Sequence, residues 1–134
     1  MLLTRRAILA AALTAAAPGY AAERTTARVQ ERKMFGLIGK VTAVAGQGEA
    51  LASILLESST DMPGCLSYVI ASDPADADAL WITEVWDTAA SHKASLQLPA
   101  VQAAIKKGRP LIVGFSDRVE TVPLGGYGLA RGSR

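Results

Sequence analysis

The sequence predicts one α+β domain with the element order β-α-β-β-α-β, and three observations carry that prediction. Hydrophobic spacing switches several times between strand-like and helical patterns from Met34 to Val122. Turn-forming residues punctuate the switches at Gly46, at Met62-Pro63-Gly64 and across Ser72 to Asp78. A chain of 134 residues has room for one such core and little more.

The elements follow in order. Met34 to Ala45 carries Phe35, Leu37, Ile38, Val41 and Val44 and stops at Gly46, which reads as a strand. Glu49 to Ser59 sets Leu51, Ile54, Leu55 and Ser58 at helical spacing. The second strand is Cys65 to Ala71, and an acidic turn from Ser72 to Asp78, with Pro74 inside it, leads into the third, Ala79 to Trp86. These two strands form a hairpin. Asp87 is the expected cap of a helix through Ser95, and Pro99 opens a further helical stretch carrying Val101, Ala104 and Ile105 that ends at Gly108. Leu111 to Val122 is the fourth strand. This is the ferredoxin-like split plan. Two helices on one sheet face leave the other bare. Burial at roughly 25 cal/mol per Å² makes a face-to-face homodimer the expected way to cover it.

The chain ends read differently from this domain. Residues 1–21 have a basic head with Arg5-Arg6, an alanine-rich apolar run from Ala7 to Ala17, and small residues around Ala21. That is the layout of an export signal, and Thr4-Arg5-Arg6-Ala7-Ile8-Leu9 is similar to a twin-arginine signal. Its apolar run covers only about 16 Å as a helix, half a bilayer core, so a membrane encounter limited to export is expected. The destination would be the periplasm or the medium. Residues 22–33 are polar and charge-mixed, a linker, and residues 123–134 are a Gly-rich tail. The folded domain is expected over residues 34–122.

Composition removes several function classes. A net charge of +2, supplied entirely by Arg5 and Arg6, gives no footprint for nucleic acid. One Cys rules out an internal disulfide framework, and one His rules out two-His zinc motifs. No thiolate-rich or two-His metal site is expected.

Three segments carry a family resemblance: Pro63-Gly64-Cys65-Leu66-Ser67-Tyr68, Trp81-Ile82-Thr83-Glu84-Val85-Trp86-Asp87, and Ser91-His92-Lys93-Ala94-Ser95-Leu96 running on to Leu98-Pro99-Ala100-Val101. The chain resembles the antibiotic biosynthesis monooxygenase superfamily, and within it the small quinol monooxygenases. The resemblance implies a dimeric α/β barrel that oxidises a small aromatic substrate, a phenol or quinol, with O₂ and without flavin, haem or metal. It departs from the family pattern in three places. The helix histidine is often nine residues after the tryptophan, where this chain has Ser95; Ile82 stands where relatives acting on polycyclic phenols carry Asn; and the first strand lacks the Asn of haem-degrading relatives.

The residues themselves point to the same region. Alternation puts Leu80, Ile82, Glu84 and Trp86 on one face of the third strand. If that face looks toward the helices, Glu84 and Trp86 border the pocket beside His92. A carboxylate and an imidazole can manage a phenolic proton, while an indole offers an apolar wall with one N–H donor. His92, Glu84 and Trp86 are therefore the candidate catalytic residues, with Ile82, Tyr68, Leu55 and Phe115 as candidate substrate contacts. Each key residue also has a purely structural role open to it: His92 as a solvated helix residue, Trp86 as core filling, Glu84 as acceptor for a buried donor. A non-catalytic ligand-binding barrel, or a haem-binding one, is the alternative.

Overall fold

The computed structural model describes residues 33–129. The expected export signal, nearly all of the expected linker and the last residues of the expected tail lie outside that range. Strand β1 (Phe35–Ala43) leads to helix α1 (Gly48–Ser58), then β2 (Cys65–Asp73) and β3 (Asp76–Trp86). Helices α2 (Ala89–Ser95) and α3 (Pro99–Gly108) follow, then a 3₁₀ turn (Arg109–Leu111) and β4 (Ile112–Thr121). The four strands are antiparallel in the order β2-β3-β1-β4, the ferredoxin-like arrangement, and within one chain the sheet is open.

Register fixes which residues share a face. Leu37 lies opposite Glu84, Gly39 opposite Ile82 and Val41 opposite Leu80, so these positions point to the side where the helices pack. Val41, Ala43, Leu51 and Leu80 form the buried cluster there, with Leu55, Ile70 and Ile82 against it. The other face carries Ile38, Val69, Trp81, Val85 and Val119, with Val69 and Val119 about half exposed at 53% and 52%. Across it Lys40 Nζ lies 3.0 Å from Asp73, and the Trp81 indole donates to the same carboxylate at 2.9 Å. The backbone N–H of Ala75, the Trp81 indole and the Lys40 ammonium together hold the Asp73 pKa down at about 2.

Three local expectations are corrected. The stretch Ser72 to Asp78 is mostly strand, with only Pro74 and Ala75 left between β2 and β3. Asp78 serves a distant partner instead, since its carboxylate accepts the backbone N–H of Gly46 at 3.0 Å and of Gly48 at 3.1 Å, anchoring the start of α1. The cap of α2 is Thr88 rather than Asp87; its hydroxyl accepts the Ser91 N–H at 3.1 Å. The helical layer thus has three helices, because Leu96 to Leu98 break the stretch before Pro99. No helix among the described residues is long and apolar enough to cross a membrane.

Candidate active site

Between the helices and the sheet lies a cavity of about 570 Å³, the size of an ordinary small-molecule site. All seven sequence-predicted residues line it: His92, Glu84, Trp86, Ile82, Tyr68, Leu55 and Phe115. Strand parity delivers Ile82, Glu84 and Trp86 together, and the cross-strand pairing of Tyr68 with Glu84 adds the tyrosine. Residues not anticipated as site residues also line it, among them Leu51, Ser95, Val101 and Ile105. The helical spacing of Val101 and Ile105 was the signal for them, since the same stripe that packs a helix onto a sheet lines whatever space is left between the two.

Polar chemistry concentrates at one point of this apolar wall. The Trp86 indole N–H donates to Glu84 Oε2 at 2.8 Å. His92 Nε2 stands 3.6 Å from the same oxygen, beyond a normal hydrogen bond but close enough for strong charge coupling. The imidazole packs against two rings, 4.9 Å from Phe35 and edge-on to Trp86 at 5.6 Å. Glu84 is 9% exposed and Trp86 1%. Burial pushes the Glu84 pKa above the ordinary carboxylate value, opposed in part by the Trp86 N–H and by the positive charges of His92 and Arg118. Tyr68, held out of water next to Glu84, has its pKa raised well above the usual phenol range, so it stays a neutral O–H donor. Cys65 is a half-buried free thiol whose pKa burial also raises.

The backbone around Gly64 positions His92. Gly64 has φ +81°, in the left-handed region, and its carbonyl accepts the Asp87 N–H at 2.9 Å. A Cβ there would lie 2.5 Å from Ser91 Oγ and 2.6 Å from Asp87 Oδ1. Only glycine lets the turn before β2 close onto the first turn of α2. The Ser95 hydroxyl then donates to the His92 carbonyl at 2.6 Å and braces the turn of helix that bears the histidine. Among the described residues no cluster of three or more His, Cys, Asp or Glu could hold a metal ion.

Comparison with known proteins places the chain. Residues 34–107, more than half of the chain, match the family model for antibiotic biosynthesis monooxygenases. A candidate antibiotic biosynthesis monooxygenase from Chloroflexus aurantiacus is 61% identical, with a TM-score of 0.71 over 72% of this chain and 99% of that one. Two more distant structures share the fold. One, from Nitrosomonas europaea, is 15% identical with a TM-score of 0.65, covering 75% of this chain and 97% of that one. The other is SnoaB of Streptomyces nogalater, described as a cofactor-independent oxygenase; it is 11% identical with a TM-score of 0.60, covering 71% and 97%. None of the curated proteins compared matches the chain. The chain belongs to the antibiotic biosynthesis monooxygenase family.

Proposed function

We propose that the protein is a cofactor-independent monooxygenase that oxidises a small phenol or quinol with O₂. The observation that carries this reading is the Glu84 carboxyl, buried on the wall of an apolar pocket with His92 Nε2 3.6 Å from its oxygen. Oxidation by O₂ begins with loss of the phenolic proton, because the anion gives up electrons far more readily than the neutral phenol. A carboxylate with a raised pKa is a better proton acceptor than a solvated one, and His92 is placed to share the proton. The neutral Tyr68 hydroxyl can donate to charge developing on oxygen, and the apolar walls exclude water from reactive intermediates. The stoichiometry closes without another reductant. A quinol and O₂ give a hydroxyquinone and water; one oxygen atom enters the ring, the other leaves as water, and the ring supplies all four electrons.

The test is O₂ uptake by the purified chain with a panel of quinols and naphthols, under ¹⁸O₂ and with excess chelator. One labelled oxygen in the product, with uptake unaffected by the chelator, is the expected result. Absence of uptake across the panel refutes the proposal.

Two further readings belong with it. A homodimer would cover the open sheet face bearing Val69, Trp81 and Val119; sedimentation should give twice the chain mass, and Val69→Glu should shift it toward the monomer. Export through the leader at residues 1–21 predicts that replacing Arg5 and Arg6 by lysine holds the protein in the cytoplasm.

A further inference from the structure

The helices do not cover the whole of the sheet face they pack on. Over its β1 and β4 half lies a second cavity of about 400 Å³, walled by Leu37, Ile82 and Phe115, with Gly39 in its floor and Arg118 at its edge. It shares Ile82, Glu84 and Phe115 with the main pocket, so the two spaces adjoin along these three residues. On this face β1 presents Leu37, then Gly39, then Val41, and the middle position contributes no side chain. A Cβ at Gly39 would have no heavy atom within 4 Å. Its φ is not in the positive region either, so neither backbone geometry nor crowding calls for glycine there. In a strand interior that choice weakens the sheet. What it leaves is volume, directly beside the candidate proton acceptor.

We propose that this gap is a second subsite, and that the substrate is a phenol or quinol bearing an apolar substituent. The ring occupies the main pocket against Glu84 and His92, and the substituent crosses Ile82 to lie over Gly39. The walls set its chemistry. Leu37, Ile82 and Phe115 are apolar, and Phe115 is 72% exposed; of the polar lining, Glu84 and Ser116 border the space, Lys40 is paired with Asp73 at 3.0 Å and Arg118 with Glu120 at 3.3 Å. The inference rests on the preceding assignment of the ring site, and its test separates the two.

The perturbation is Gly39→Val, with Gly39→Ala as the milder variant; open space at the Cβ predicts that both fold. The probes are methylhydroquinone and a decyl-substituted hydroquinone. The first readout is kcat/KM for O₂ uptake, and the second is quenching of indole fluorescence on binding, which needs no turnover. Wild type should prefer the long probe in both. Gly39→Val should cut that preference by about tenfold or more, chiefly through KM, as expected when a few methylenes lose their pocket. Gly39→Ala should fall between. No wild-type preference for the long probe, or a preference that Gly39→Val leaves intact, overturns the subsite. A preference seen only in fluorescence, and lost in Gly39→Val, would uphold the subsite while the oxygenase reading fails.

Discussion

Glu84→Gln is the sharpest test of the site, because it removes a charge and a base while nearly preserving shape. The amide oxygen can still accept the Trp86 N–H that now reaches Oε2 at 2.8 Å, so the strand and the indole should stay in place. A positioned general base contributes about 10²- to 10⁴-fold, and the variant should lose kcat/KM by about that factor, or about 2.7 to 5.5 kcal/mol of barrier. Stability should move the other way. Glu84 has its folded pKa raised by burial above the ordinary value of 4.5, so its charged form is disfavoured in the folded state. Its contribution is therefore most favourable below pH 4.5 and is lost as pH rises through the folded pKa. Glu84→Gln has no such loss, so its stability relative to wild type should climb from pH 4.5 upward and then level off. Oxygen uptake and urea unfolding across a pH series measure the two effects on one preparation. Activity within threefold of wild type, or a stability difference flat in pH, would refute the reasoning.

Two other perturbations probe the supports of the site, and a third probes the open sheet face. Trp86→Phe removes the N–H that Glu84 accepts and part of a fully buried side chain; unfolding should show a loss of about 2 to 4 kcal/mol, easing at low pH where the carboxyl is protonated. Gly64→Ala puts a methyl 2.5 Å from Ser91 Oγ at a backbone with φ +81°, so thermal melts should show a loss of about 2 to 4 kcal/mol, and the His92 ring resonances should shift. Asp73→Asn acts on the open face. Asp73 is depressed from 3.8 to about 2, so its stabilisation is present above pH 3.8 and lost as pH falls toward 2; the variant should show a flatter acid limb in pH-dependent melting, and an unchanged limb would show the cluster to be inert.

The parts legible in the sequence were those set by parity and turn chemistry. Alternation along Leu80 to Trp86 put Glu84 and Trp86 on one side, and no packing detail could change that. The side they faced depended on which flank the helices covered, a tertiary fact. His92 was readable as a helix residue, but its approach to Glu84 depends on the Gly64 turn lying against Ser91, across 27 residues of chain. The misread acidic turn has a similar cause. Asp76 and Asp78 carry turn propensity, yet Asp78 is held in strand geometry by amides 30 and 32 residues away. Local preference lost to a long-range anchor.

The same contrast explains why the two cavities differed in legibility. The main pocket is built from side chains that are present, and apolar periodicity with two polar interruptions announces it. The second cavity is built from one that is missing. Gly39 sits in a strand where a β-branched residue would be favoured and where space would admit one, so as sequence it looks like a weak point in β1. Only the pairing of Gly39 with Ile82, two residues from Glu84 on the same face, shows that the space adjoins the Glu84 end of the pocket. A glycine that serves neither a turn nor a close approach is thus more informative about ligand shape than the conspicuous Trp86, which any well-packed sheet could employ.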